Sequence, residues 1–137
     1  MLRRNAKVEI LKRVPLLSQC SKKELGQVAL VADELDVREG EVLTNEGDSG
    51  REFFLLVEGA ADVRRNGRRI NTIQAGDFFG EIALVSNRPR TATVTMTTPG
   101  RVLVLTDRAF RELMKTMPSI QPKVMAALAD RLPPDAV

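Results

Sequence analysis

Gly76-Asp77-Phe78-Phe79-Gly80-Glu81-Ile82-Ala83-Leu84-Val85-Ser86-Asn87-Arg88-Pro89-Arg90-Thr91-Ala92-Thr93-Val94 is the stretch whose reading decides the fold. It reads as a short strand, a glycine turn, one and a half turns of helix, a proline-stiffened turn and a second strand. Gly80 lacks a side chain, so its backbone can approach a ligand closely. A helix starting at Glu81 leaves the first-turn N–H groups of Ile82, Ala83 and Leu84 without intrahelical partners. Together with the positive end of the helix dipole they make an anion site. Arg90 adds a permanent charge on a planar fork that matches phosphate oxygens. Glu81 is an acceptor beside that site, ill-suited to phosphate and well suited to a hydroxyl. Thr91 contributes a small donor and acceptor. Each residue also has a plainer reading: Glu81 as a helix-start preference, Gly80 as a turn and Arg90 as a solvated charge. The ordered set is what points to a ligand.

Phe79-Gly80-Glu81-Ile82-Ala83-Leu84 followed by Pro89-Arg90-Thr91-Ala92-Thr93-Val94 closely resembles the phosphate-binding cassette of cyclic-nucleotide-binding domains. That family includes catabolite-activator-type regulators, kinase regulatory subunits and nucleotide-gated channels. The resemblance spans roughly residues 8–132 and is specific mainly at 76–94. It implies ligand contacts from Gly80, Glu81, Ile82, Ala83, Leu84, Arg90, Thr91 and Ala92. In that assignment Arg90 and the amides after Gly80 hold the cyclic phosphate, and Glu81 accepts from the ribose 2′-OH. By register, Val63 and Ile70 match family positions lining the base and ribose pocket, with ordinary core packing as the alternative for both. Thr91 permits cyclic GMP, because a hydroxyl can bond a guanine 2-amino group, and it does not exclude cyclic AMP. Cyclic AMP is the expectation from the family's usual ligand.

Outward from the cassette, the chain alternates short apolar runs with Gly, Asn, Asp and Pro. Asn66-Gly67 between two strand-like runs is a strong hairpin signal, and Glu52-Phe53-Phe54-Leu55-Leu56-Val57 is apolar enough to be buried on both faces. Seven or eight strands at regular spacing predict a mainly β fold with flanking α-helices. The family form of that fold is a double-stranded β-helix (jelly-roll) barrel with N-terminal helices, a short phosphate-cassette helix and two C-terminal helices. One domain over 1–137 is expected, divided into N-terminal helices 5–32, the barrel with its cassette 33–106, and C-terminal helices 107–132. Ser21-Lys22-Lys23-Glu24 reads as a capping box for the second helix, and Asp107 as the cap of the third. In the family the last helix moves over the base and turns binding into a signal. Lys123, Leu128 and Arg131 are the candidates for covering the base, and packing of the helix's apolar stripe is the alternative.

Composition narrows the chemistry. The 137 residues contain no histidine and a single cysteine, Cys20, which removes Ser-His-Asp and Cys-His catalysis, His-ligated zinc and any internal disulfide. No enzyme activity, no metal and no catalytic cofactor are expected. The net charge of +3 falls short of a nucleic-acid-binding signature, and no apolar run reaches the ~18 residues that span a bilayer. The reading is therefore a cytoplasmic, non-catalytic cyclic-nucleotide sensor that relays binding to a protein effector or fused effector domain, with its oligomeric state open. The alternatives are a nucleotide-independent protein-interaction domain, and the sensor part of a transcription regulator that lacks its DNA-binding part.

Overall fold

The computed structural model describes residues 2–80 and 88–131, with the side chains at 128, 130 and 131 outside the description. A first helix, α1 (Arg4–Leu11), and a 3-10 turn at Pro15–Leu17 lead into α2 (Lys22–Val31). Eight strands follow: β1 (Asp33–Val37), β2 (Val42–Thr44), β3 (Glu52–Glu58), β4 (Ala60–Arg65), β5 (Arg68–Gln74), β6 (Phe78–Phe79), β7 (Thr93–Met96) and β8 (Gly100–Thr106). The chain then forms α3 (Asp107–Thr116) and α4 (Ile120–Arg131). The expected cassette helix falls on 81–87, outside the described residues.

The strands pair into two antiparallel four-stranded sheets, ordered β1-β8-β3-β6 and β2-β7-β4-β5. Among the described residues no ladder joins one sheet to the other, so the expected jelly roll takes the form of two facing sheets that are not closed into a barrel. The chain passes between them at tight corners. At one corner Gly59 alone separates β3 from β4, at φ 100, and an added Cβ would meet the Pro99 carbonyl at 2.8 Å. Contact between the sheets is made by side chains: Val37, Phe54, Leu56, Val102 and Val104 from one, and Ala61, Val63, Ile73, Val94 and Met96 from the other.

The other face of the β3–β8 sheet carries Phe53, Leu55, Leu103 and Leu105, which pack under the helices with Leu17, Val28, Phe110, Ile120 and Val124. The near-continuous apolar run of β3 is explained by this double burial, with Phe53 through Leu56 all at most 5% exposed. Each such side chain removed from water favours folding by about 1.5–3 kcal/mol. Asn66 (φ 53) and Gly67 (φ 77) both take the left-handed conformation that a two-residue hairpin requires. The β4–β5 hairpin is the one that sequence predicts.

The helix ends follow their capping residues. At α2 the Ser21 hydroxyl accepts from Glu24 N at 3.1 Å and Glu24 Oε1 accepts from Ser21 N at 2.7 Å, completing the predicted capping box. The cap of α3 is Thr106 rather than Asp107, since its hydroxyl accepts from Ala109 N at 3.0 Å. Asp107 lies in the first turn, where its charge complements the helix dipole.

Candidate ligand-binding site

The site is assembled where the end of β6 and the start of β7 meet the β2–β3 loop. Phe79 pairs with Phe54 across β6 and β3, and their rings stack at 5.0 Å between centroids. Gly80, the next residue, sits at φ 80 against the carbonyl of Glu52 and the guanidinium of Arg90. An added Cβ there would meet the Glu52 oxygen at 2.9 Å and collide with Arg90 Nη1. Gly50 borders the same guanidinium from the other side, at 2.9 Å from a built Cβ to Arg90 Nε. Two glycines therefore make the slot in which the arginine lies.

Arg90 is fixed along its whole length. Its backbone N–H donates to the Asp48 carbonyl at 2.7 Å, and its carbonyl accepts from Gly47 N at 2.8 Å. Pro89, just before it, bridges to Ser49. The side chain runs inward, donates from Nη2 to the Glu52 carbonyl at 2.5 Å and lies 5.9 Å above the Phe54 ring. That distance is within cation–π range. The residue is only 8% exposed. Burial lowers its pKa from the usual guanidinium value, and the charge of Glu52 partly offsets this. Among the described residues no carboxylate forms an ion pair with it. Among the described residues this buried guanidinium is therefore held by a carbonyl and a ring rather than by an ion pair.

The expected site residues divide by position. Gly80 and Arg90 are in contact. Thr91 is exposed beside Arg90, and its carbonyl accepts from Arg65 Nε at 2.9 Å. Ala92 is fully buried between the sheets and its carbonyl accepts from the Thr44 hydroxyl at 3.1 Å. Its methyl is part of the core, because the chain there turns inward to begin β7. Val63, 1% exposed, likewise belongs to the core between the sheets. Ile70 does not: it is 47% exposed, at the step where the β4–β5 register shifts between Val63/Asn71 and Arg64/Arg69. Core packing is therefore excluded for Ile70. Glu81, Ile82, Ala83 and Leu84 lie outside the described residues.

Sequence reasoning missed the β2–β3 loop as a wall of the site. It runs alongside 89–93, and Glu46 N donates to the Thr93 hydroxyl at 2.9 Å. Glu46 Oε1 also accepts from Asn66 N at 2.9 Å, which ties the hairpin tip to the same loop. The signal available was the pair Gly47 and Gly50; the backbone contacts themselves leave no mark in sequence. Two arginines of the β4–β5 hairpin share a carboxylate partner. Arg64 faces Asp62 at 3.8 Å and Arg69 faces it at 4.0 Å.

Of the residues considered for covering a base, Lys123 is bonded to Glu24 at 2.5 Å, while the Leu128 and Arg131 side chains are outside the description. Cys20 is half-buried, and burial, with the nearby charge of Glu24, pushes its thiol up to about 11. It is overwhelmingly protonated at neutral pH, which removes it as a nucleophile. Among the described residues no group of carboxylates and cysteine is placed to hold a metal ion, and no helix is long and apolar enough to cross a membrane.

Residues 34–117 match the family model for the cyclic nucleotide-binding domain, and the chain belongs to that family. It is 37% identical over 119 residues to a cAMP-dependent protein kinase regulatory subunit of Mycosarcoma maydis, covering 78% of this chain and 22% of that one. It is 34% identical over 103 residues to a cGMP-dependent protein kinase of Toxoplasma gondii, covering 74% of this chain and 10% of the other. The chain thus spans less than a quarter of the length of either relative. Among solved structures it resembles the N-terminal domain of a transcriptional regulator from Streptomyces coelicolor A3(2), with TM-score 0.82, 25% identity and coverage of 89% and 91% of the two chains. It also resembles the cAMP-bound PfPKA-R (141–441), with TM-score 0.70, 29% identity and coverage of 93% and 46%. The two facing sheets with flanking helices are the jelly-roll form of that family.

Proposed function

We propose that this chain is a non-catalytic cyclic-nucleotide sensor whose preferred ligand is cyclic AMP, with cyclic GMP as the second candidate. Arg90 would hold the cyclic phosphate, together with the amides that follow Gly80, and Glu81 would accept from the ribose 2′-OH. Thr91 stands at the rim beside the phosphate, where its hydroxyl reaches either the phosphate or the base edge. Ile70, exposed on β5, supplies apolar surface for the base or ribose. Binding would draw the cassette inward and reposition the C-terminal helices. That change would be read by a protein effector or a fused domain. The relatives support this reading, since one is named for cAMP dependence, another for cGMP dependence, and one solved neighbour holds cAMP.

The single observation that carries it is the buried guanidinium of Arg90, held in place and lacking a carboxylate partner among the described residues. An anion that reaches this guanidinium gains a charge-assisted, bidentate contact at a group already desolvated and oriented. Catalysis has no support in the residues present: there is no histidine in the chain, and the one thiol is held protonated.

Calorimetric titration of the purified, nucleotide-free domain with cyclic AMP, cyclic GMP and linear 5′-AMP tests the reading. The expected result is one-to-one binding of the cyclic nucleotides, cyclic AMP tighter, and little binding of 5′-AMP. A folded, nucleotide-free domain that gives no heat with any of the three would overturn it in favour of a nucleotide-independent interaction domain.

A further inference from the structure

Glu24, bonded through both of its carboxylate oxygens, lies in the helical layer. The residue is 4% exposed. Its Oε1 accepts from Ser21 N at 2.7 Å and from Lys123 Nζ at 2.5 Å, and its Oε2 accepts from the Ser119 hydroxyl at 2.5 Å. The Ser21 contact is the capping box of α2, and an exposed glutamate would serve that purpose equally well. The other two partners stand at the start of α4: Ser119 immediately precedes it, and Lys123 lies one turn inside. One carboxylate therefore caps α2 and holds the foot of α4.

The place it bridges is a joint. Helix α3 ends at Thr116, Met117 leaves the helical region at φ −134 and ψ 73, and Pro118 separates it from α4. Beyond the joint, α4 is seated by Ile120, Val124 and Ala127, all at most 2% exposed. Apolar seating is non-directional and tolerates sliding, whereas a hydrogen-bonded ion pair fixes one register. A swing of α4 about the joint would withdraw Lys123 and leave the Glu24 carboxylate buried without its cation, which is unfavourable.

We propose that the contact of Glu24 with Lys123 and Ser119 is a latch that holds α4 in its resting position and thereby lowers the affinity of the domain for its nucleotide. The inference rests on the functional reading above, in which ligand binding repositions α4. A ligand that binds the moved state has its apparent affinity reduced by the fraction of molecules in that state. Cutting the latch raises that fraction. Glu24 is thus a positioning residue, acting on the ligand only through α4.

Glu24→Gln is the clean test. Glutamine keeps an oxygen for Ser21 N, so the cap of α2 survives, while the ion pair is lost and Lys123, 35% exposed, turns to water. Cyclic AMP is expected to bind the variant about tenfold more tightly than it binds the unaltered protein. Amide exchange across 120–131 in the nucleotide-free variant is expected to accelerate about tenfold or more, with the sheets unchanged. Lys123→Met, which keeps the stem and removes the charge, should act in the same direction and serves if Glu24→Gln folds poorly. A merely structural role would weaken binding or leave it unaltered. Equal or weaker cyclic AMP binding by a folded Glu24→Gln protein overturns the latch while leaving the sensor reading intact. Failure of the unaltered protein to bind any cyclic nucleotide removes the sensor reading, and with it the effect on affinity. The exchange measurement then decides whether α4 is latched at all: unchanged exchange means it is not.

Discussion

Two buried charges, Glu24 and Arg90, lie in different layers of the molecule and are treated in opposite ways. Glu24 has its charge answered internally, by Lys123, Ser119 and the backbone of Ser21. Arg90 is equally well positioned, but by neutral groups: the Glu52 carbonyl, the Phe54 ring and a backbone clamped to the β2–β3 loop. Both satisfy the rule that buried charges need partners, yet among the described residues only Glu24 does so with an ion pair. On the functional reading proposed above, the contrast is between a charge that joins two helices and a charge that receives an anion. Burial alone would not distinguish them; the identity of the partners does.

The contrast is most readily broken at Arg90. Arg90→Ala should weaken cyclic AMP binding roughly thirty- to a thousandfold, about 2–4 kcal/mol, because a phosphate would lose its main counter-charge. Arg90→Lys should recover only part of that by calorimetry, since it keeps the charge and loses the fork. Glu81→Ala should cost less than Arg90→Ala, because the sugar hydroxyl is neutral; the reverse order would overturn the assigned roles.

Gly80→Ala places a methyl against the Glu52 carbonyl in a left-handed backbone conformation. It should destabilise the domain by about 1–2 kcal/mol in urea unfolding and weaken nucleotide binding as Arg90 is displaced.

On the Glu24 side, the prediction concerns pH. Bonds from Lys123, then from Ser119 and Ser21, hold the carboxyl at about 2, against an ordinary 4.5. A folded-state value below the unfolded one means stability that is fully present above about pH 4.5 and is lost as pH falls toward 2. Allowing for screening where Lys123 meets water, the loss attributable to this group is about 1–2 kcal/mol. Denaturant titrations at pH 6 and pH 3 should show it, and Glu24→Gln should flatten it. The smallest effect belongs to Arg65→Ala, which removes the bond to the Thr91 carbonyl at an exposed position. It should weaken binding only a few-fold, about 0.5–1 kcal/mol.

The readable parts of this fold were those encoded locally. Asn66-Gly67 specifies its hairpin, Ser21 with Glu24 specifies the start of α2, and the apolar run of β3 announces a strand covered on both faces. Non-local consequences were not legible. That two sheets face each other without closing depends on where corners such as Gly59 send the chain. Ile70 and Val63 both read as core or pocket, and only the register shift in the hairpin shows that one is exposed and the other buried. In the site, Gly80 and Arg90 were visible because their chemistry is unusual for their positions. Asp48 and the Glu52 carbonyl were invisible because they act through backbone, which any residue supplies. The link from Glu24 to Lys123 crosses 99 positions of sequence, and no local pattern announces it.

The most direct test of the central claim is a crystal structure of the domain with cyclic AMP. The account predicts the cyclic phosphate against the Arg90 side chain, with two of its oxygens within hydrogen-bond distance of the guanidinium. A nucleotide bound elsewhere, or a phosphate that leaves Arg90 bonded only to the Glu52 carbonyl, would contradict it.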